Sequence, residues 1–173
     1  TDETYTTSTT SLVGSWSGSD LESGIARYEY AIGTAPGGTN IRGWTSAGTA
    51  TSATITGLSL TLGNTYYISA RAVDGMSQTS TPMTSAGVKV ARTIDTIQQA
   101  KGYTDGEVIA LPVRVVSAKF AGRFYVEEPN RASAIRVESS TAVPVGQSVT
   151  VFGVMGLADG ERAVLSPKIV TGM

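Results

Sequence analysis

The chain has 173 residues, with 13 Lys or Arg and 14 Asp or Glu, so its net charge is −1 and binding of nucleic acid through phosphates is disfavoured. It contains neither cysteine nor histidine, which excludes disulfides, thiolate or histidine zinc sites, and His-dependent nucleophilic catalysis. No apolar run reaches the roughly 18–20 residues of a membrane-spanning helix, so we expect no membrane span. Together these absences predict a non-enzymatic protein without a metal or other cofactor.

The first half of the chain is patterned as short strands separated by turns. Apolar and polar residues alternate over 12–17 and again over 27–32. Further strands are predicted around 43–47, 53–56, 65–73 and 87–91, with turn clusters such as 36–38 between them. About seven short strands with a turn every 8–12 residues are typical of a β-sandwich.

Two motifs in this half carry a family resemblance. Trp16 falls on the predicted strand at 12–17, and Leu60 is followed six residues later by Tyr66, which is the spacing of a tyrosine corner. Residues 12–91 therefore resemble a fibronectin type III domain, and segment 22–34 is similar to the versions in secreted and surface proteins of bacteria. The resemblance implies a sandwich used as a spacer outside the cell or on the bacterial surface.

The first strand of that family has no clear counterpart here. Eleven residues precede Leu12, and they are rich in Thr and lack the Pro that usually marks the strand. We expect this strand to be absent or unusually short, which would leave an unpaired edge that accepts a strand from a neighbouring subunit. Candidate donors are segment 2–10, with Thr4, Tyr5 and Thr6, and segment 163–171, with Val164, Leu165, Ile169 and Val170.

The second half begins with a helix signal and continues as five strands. Asp95 to Gln98 predict a capping box with Asp95 at the N-cap, before a helix of one or two turns that ends at Gly102. A long strand interrupted by Pro112 and four further strands match the plan of an OB barrel. The strands are predicted over 108–120, 123–127, 134–138, 148–155 and 162–170.

Residues 94–170 resemble the OB-type module that follows fibronectin-like repeats in some bacterial surface proteins. The resemblance rests on segments 124–131, 134–137 and 159–162. We therefore expect an all-β protein of two domains: a fibronectin type III-like sandwich over 1–92 and a five-stranded OB-like barrel over 93–173.

The candidate ligand face lies on the second and third strands of this barrel, where OB domains commonly bind oligonucleotides or sugars. Its members are Arg123, Tyr125, Arg131 and Arg136, of which Arg123 and Tyr125 share a face by alternation. Tyr125 is the one aromatic residue of this set, and Glu127 and Glu138 dilute the positive charge. Surface cross-strand pairing is therefore the competing interpretation.

The acidic residues form no catalytic or metal-binding pattern. Glu127 and Glu128 are neighbours on a strand, so their side chains point to opposite faces and do not converge as an acid and a base. Asp20, Glu22 and Asp74 lie in turns and lack the dense ligand spacing of a calcium loop. We expect them to form turns.

The sequence leaves two functional hypotheses open. The first is a non-catalytic subunit or spacer of an extracellular bacterial surface fibre, joined head to tail by strand complementation to other copies of itself or to neighbouring surface domains. The alternative is an adhesion or accessory module that binds carbohydrate or an oligonucleotide at the barrel face. An enzyme ranks behind both, and the fold alone does not choose among them.

Overall fold

The structure, a computed structural model, describes residues 4–171, and its regular elements are β-strands apart from one short helix. The predicted all-β class is confirmed. The chain divides into two compact units, the first ending at Val90 and the second beginning at Ala91. Among the described residues, no helix has the length and hydropathy to cross a membrane.

The described part of the first unit holds eight strands in two sheets. Strand β6 is central in the larger sheet, whose order is β1-β8-β6-β3-β4, with β7 also pairing with β6; β2 and β5 form the second sheet. All pairs are antiparallel except β1 with β8. The strands are β1 (Thr4–Thr6), β2 (Leu12–Ser15), β3 (Ile25–Gly33), β4 (Arg42–Gly48), β5 (Ser52–Ile55), β6 (Thr65–Asp74), β7 (Met83–Thr84) and β8 (Val88–Val90).

The two sheets enclose an apolar core, as period-2 alternation predicts. Leu12 of β2 and Ile68 of β6 belong to one buried cluster, and the Trp16 ring stacks on Tyr30 with centroids 5.7 Å apart. The predicted tyrosine corner is confirmed, because the buried Tyr66 hydroxyl accepts a hydrogen bond from the Thr61 N–H at 2.8 Å. This bond satisfies a backbone donor that would otherwise be left unpaired in the turn before β6.

The short first strand, β1, lies in an unexpected place. It has three residues, as the expectation of an unusually short strand requires, and it pairs in parallel with β8 in the larger sheet. The chain then crosses to the other sheet, where the Thr9 and Thr10 carbonyls accept hydrogen bonds from Leu60 and Leu58. The sheet of β2 and β5 therefore keeps only two strands among the described residues.

The second unit is a closed five-stranded barrel. Its strands run in the order β11-β12-β14-β13-β10, with β10 pairing back to β11, and the β12–β14 pair is parallel while the other pairs are antiparallel. This arrangement is OB-like. The elements are β9 (Arg92–Thr93), which pairs with β10, α1 (Ile97–Lys101), β10 (Val108–Phe120), β11 (Arg123–Glu127), β12 (Ala134–Val137), β13 (Ser148–Ala158) and β14 (Glu161–Thr171).

The long strand β10 bends where the sequence predicts an interruption. Its register with β13 shifts between Leu111 and Arg114, and Val113 has a φ of +51°, which a β-branched residue rarely adopts. A bend of this kind allows one strand to pair with β13 along one part and with β11 along another, which closes the barrel.

Helix α1 packs into the barrel core, and its cap corrects the sequence prediction by one residue. Ile97 and Ala100 are buried, and the N-cap is Thr96 rather than Asp95. The motif fits both registers, but the Asp95 carbonyl accepts a hydrogen bond from Arg114 at 2.6 Å, so Asp95 is held outside the helix. The predicted end at Gly102 is confirmed. Glu128 accepts a hydrogen bond from the Ile97 N–H at 2.6 Å.

Candidate functional site

The candidate face of the barrel is built on β11 and β12. Phe124 and Val126 of β11 are buried in the barrel core, so the alternating residues Arg123 and Tyr125 lie on its outside. Tyr125 is the direct cross-strand partner of Arg136 on β12. The antiparallel pairing thus brings a phenol and a guanidinium group together on one surface.

Arg136 is the centre of this face, and acceptors enclose its guanidinium group. Its side chain is only 7% exposed and donates hydrogen bonds to the carboxylates of Glu138 and Asp159, the latter at 2.8 Å. It also donates to the Ala158 carbonyl at 3.3 Å, and Glu161 Oε2 lies 4.0 Å away. The hydrogen bonds to Glu138 and Asp159 raise the pKa of Arg136, and the same guanidinium group lowers the pKa of Asp159.

Tyr125 is tied to the same network. Its hydroxyl donates a hydrogen bond to Glu161 Oε2 at 2.7 Å, and this bond, with a smaller effect of burial, raises the pKa of Tyr125 above its ordinary value of 10.0. The phenol is therefore un-ionised at neutral pH. It acts as a hydrogen-bond donor on this surface and not as a base.

The two remaining predicted residues differ in their surroundings. The Arg123 guanidinium lies 5.4 Å from the ring centroid of Phe120, and Phe120 meets Tyr125 edge to face at 6.0 Å. Arg131 lies in the turn after β11, where its 83% exposed side chain approaches Glu127 at 3.4 Å. The structure thus groups Arg123, Tyr125 and Arg136 and leaves Arg131 outside the group.

This arrangement stabilises the barrel surface and offers little to an anionic ligand. Arg136 would have to give up bonds to Glu138 and Asp159 before it could bind a phosphate or a carboxylate. The three carboxylates around it outnumber the two arginines, Arg123 and Arg136, so the local field does not favour an anion. The Phe120 ring, which is about half exposed, remains as a contact surface.

Asp20 and Asp74 use their carboxylates in turns, as expected, and Glu22 contributes a backbone N–H to the first of these turns. Asp20 accepts hydrogen bonds from the N–H groups of Glu22 and Ser23 at 2.9 and 3.1 Å, which lowers the pKa of Asp20. Asp74 accepts from the N–H groups of Met76 and Gln78. Over residues 4–171, no three or more acidic side chains are grouped so that they could hold a metal ion.

The described residues of both candidate donor segments are engaged within the chain, whereas Asp2 and Glu3 of segment 2–10 lie outside the described residues. Thr4, Tyr5 and Thr6 form β1 and pair with Val88 to Val90 of β8. The other candidates are part of the barrel wall: they pair with β13, and one of them pairs with β12 as well. These barrel residues are Val164, Leu165, Ile169 and Val170. Donation of either segment to a neighbour would first require it to leave these pairs.

A second candidate site is the free edge of β2. The backbone N–H of Trp16 donates a hydrogen bond to the Thr51 carbonyl of the neighbouring segment at 2.9 Å. Hydrogen-bonded pairs alternate with non-hydrogen-bonded pairs along an antiparallel ladder. Leu12, Gly14 and Trp16 therefore direct their backbone groups to β5, whereas Val13 and Ser15 direct theirs away from it. Within the part of the chain that the structure describes, β5 is the only strand that pairs with β2.

The free edge borders a groove in the first unit, which we name the β2 groove. Its volume is about 560 Å³, within the approximately 300–1,000 Å³ of typical ligand pockets. The edge of β2 forms one wall and β7 with β8 forms the other. Residues that line it include Val13, Ser15, Trp16, Ala70, Ala72 and Met83.

The β2 groove exists because small residues line its floor. Tyr66, Ile68, Ala70 and Ala72 follow one another on the inner face of β6, but only the first two are buried. Ala70 and Ala72 are half-buried, since their methyl groups do not fill the space between the sheets. The hydrophobic core therefore ends at Ile68 and opens to solvent beyond it.

The groove residues have no direct signal in the sequence. Partial signals are present: Val13 is an apolar residue on the outward face of a strand whose inward face carries Leu12 and Gly14. The small inward residues Ala70 and Ala72 are visible as well. These residues indicate a groove only because β1 pairs in the other sheet and not with β2, and no local sequence pattern predicts that pairing.

Comparison with known proteins gives no family for this chain. No protein-family model matches the sequence, and no curated protein is significantly similar to it.

Proposed function

We propose that this chain is a non-catalytic structural module of an extracellular assembly, and that a neighbouring protein joins it by adding a strand to the free edge of β2. The observation that carries the proposal is the edge of β2 at Val13 and Ser15, which no strand within residues 4–171 pairs with and which lies beside the β2 groove. Unpaired N–H and C=O groups on an exposed edge are a template for pairing with another chain.

The extracellular and bacterial part of the proposal rests on the family resemblance. A sandwich with a core Trp16 and a tyrosine corner at Tyr66, followed by an OB-like barrel, supports the likeness to fibronectin type III domains of secreted and surface proteins. Spacers of this kind need stable surfaces and defined joints more than they need catalytic groups. The absence of His and Cys from the sequence agrees with that role.

In this proposal the donor strand belongs to a different protein and is neither of the two candidate segments of this chain. Both β1 and β14 are paired with their own unit, and β14 is bonded along most of its length. Releasing such a strand would sacrifice many hydrogen bonds and open the barrel core. A neighbour that brings its own extended segment meets no such cost.

A ligand at the barrel face is the second candidate function, and the exposure of the Phe120 ring beside Arg123 favours it. Aromatic rings of this kind can stack on a sugar. Binding of oligosaccharides by the whole chain that is lost in Phe120→Ala and kept in Arg131→Ala would support this alternative.

The leading proposal is tested by adding an extended peptide to the whole chain. The probe is a synthetic octapeptide of alternating Val and Thr, and the measurement is hydrogen exchange of the Val13 and Ser15 amides by NMR. We expect exchange of both amides to slow by about tenfold or more at saturation, since free edge amides become hydrogen-bonded.

Two proline variants provide matched controls. Ser15→Pro removes an N–H that points to the groove, and we expect it to abolish the slowing of exchange at the Val13 amide, which remains as the probe. Thr54→Pro removes an N–H on the opposite, outward edge of the same two-stranded sheet and should leave binding intact. Unchanged exchange at millimolar peptide, or equal loss in both variants, would contradict the proposal. Regular filaments formed by the chain alone would contradict the assignment of the donor to a different protein.

A further inference from the structure

The β2 groove carries information about the segment that fits it, and the inference drawn from it rests on the function proposed above. The first constraint is the hydrogen-bonding pattern. Val13 and Ser15 each present one N–H and one C=O to the groove, and they lie two positions apart in the sequence, about 7 Å along a strand. Only an extended backbone repeats its own N–H and C=O groups at that spacing.

The second constraint is the shape of the floor. Ala72 and Ala70 are the cross-strand partners of Tyr28 and Tyr30, so a large and a small side chain alternate across the inner face of the sheet. The space above the two alanines belongs to no side chain among the described residues, and the groove remains there. A strand beside β2 would direct every second side chain into this space.

The third constraint is the absence of free charge along the described lining. Arg71 is the one Lys, Arg, Asp or Glu residue of the lining, and Glu29 holds its guanidinium group at 2.7 Å. The same guanidinium lies 4.2 Å from the ring centroid of Trp44, so it has partners on two sides. A charged side chain entering the groove would therefore lose water without gaining a partner.

The fourth constraint is the apolar rim. Val13 and Met83 are both among the lining residues, and their side chains are 71% and 77% exposed. A segment that lies along the groove would remove part of this exposed apolar surface from water, which favours its binding.

We infer that the β2 groove takes an extended, uncharged segment of a neighbouring protein with bulky apolar side chains at two positions two residues apart. These side chains lie above Ala70 and Ala72 and complete the sandwich core, while the backbone of the segment pairs with Val13 and Ser15. The residues between them point away from the core and are free to be polar. Apolar alternation, rather than a polar Thr/Ser run such as 6–11 of this chain, is the recognised feature.

The test tethers a donor strand to the full chain. Thr4 lies on the groove wall, so a strand placed before Thr1 on a Gly/Ser linker of about ten residues can reach the β2 edge at millimolar effective concentration. Three fusions are compared, with the cores Thr-Ile-Thr-Ile-Thr, Thr-Ser-Thr-Ser-Thr and Thr-Glu-Thr-Glu-Thr. Both tryptophans of the chain, Trp16 and Trp44, belong to the first unit, so their fluorescence reports unfolding of the sandwich.

We expect the Ile fusion to raise the melting temperature of the sandwich by about 5–10 °C, and the Ser and Glu fusions to change it by less than about 2 °C. Hydrogen exchange of Val13 and Ser15 should slow in the Ile fusion. A Ser fusion that stabilises and protects as well as the Ile fusion would overturn this inference and leave strand addition intact. If no fusion stabilises the sandwich or protects the amides, both proposals fail.

The variant Ala70→Leu locates the effect. The larger Leu side chain would fill part of the groove from its floor. We therefore expect the rise in melting temperature that the Ile fusion produces to fall to less than half of its value in the unsubstituted chain. The matched control is Ser46→Leu, on the exposed side of β4, which should leave that rise unchanged. An undiminished rise in Ala70→Leu would show that the donor side chains lie outside the groove, which would overturn the inference.

Discussion

The barrel face and the β2 edge present opposite kinds of surface. At the barrel face, charged side chains are numerous but mutually engaged, with Arg136 bound by Glu138 and Asp159 and Tyr125 bound by Glu161. At the β2 edge, charges are almost absent, yet the backbone groups of Val13 and Ser15 have no strand partner among the described residues. A surface is ready to bind when its polar groups are unsatisfied, and the density of charge is a poor guide to that.

This difference also separates two ways of using a sheet. The barrel, as described over its five strands, has no free edge because β10 and β11 close it, so its surface can be extended only through side chains. The sandwich keeps an edge and can be extended through its backbone. Three predictions test this contrast, from the largest expected effect to the smallest.

Proline substitution tests whether the two edges of β2 differ. Ala53→Pro removes an N–H that faces β2 and leaves the Gly14 carbonyl without its partner, so we expect the sandwich to lose roughly 1–3 kcal/mol in the free energy of unfolding. Ser15→Pro removes an N–H that faces the groove and should change that free energy by less than about 0.5 kcal/mol. Urea unfolding followed by tryptophan fluorescence measures both. Equal losses of free energy in the two variants would mean that the groove-facing edge of β2 is already paired.

Truncation of the arginines tests whether the barrel face is a closed network. Arg136→Ala leaves the carboxylates of Glu138 and Asp159 without their cation, and we expect the melting temperature of the barrel to fall by several degrees. Arg131→Ala removes an exposed cation and should have almost no effect. Far-ultraviolet circular dichroism detects the barrel transition, and an unchanged tryptophan transition is the internal control. Similar effects of the two variants would refute the closed network.

Titration of Tyr125 gives the smallest effect. Its pKa is raised in the folded state, so the contribution of its hydrogen bond to stability is complete below pH 10.0, the ordinary pKa, and is lost as the pH rises through the folded value. Glu161→Gln removes the acceptor charge and should return the pKa of Tyr125 toward 10.0. NMR of the tyrosine ring carbons resolves this titration. An identical pKa in the two proteins would show that the 2.7 Å bond does not persist in solution.

Much of the fold could be predicted because its signals are local. Alternation located the main strands, and the Leu60 to Tyr66 spacing located the tyrosine corner, since one turn contains the whole motif. The helix cap was misplaced because two overlapping registers, from Asp95 and from Thr96, satisfy the same pattern. The short strand β7 was missed, since two residues are too few to show a period.

The sites were harder to predict because they depend on partners far away in the sequence. Alternation placed Arg123 and Tyr125 on one face, but the carboxylates of Asp159 and Glu161 that engage this face come from the hairpin between β13 and β14. The weak first strand was anticipated, whereas its pairing with β8 was not. That pairing, and not the strand's length alone, decides which edge is left open.

The position of β14 has a consequence for biosynthesis. This strand lies between β12 and β13, so the barrel wall has a gap until β14 is in place. On the ribosome the sandwich and helix α1 emerge first, and domains generally fold as they become complete. A chain stalled before Glu161 would therefore carry a finished sandwich beside an open curved sheet with two unprotected strands, a species that chaperones and proteases would recognise.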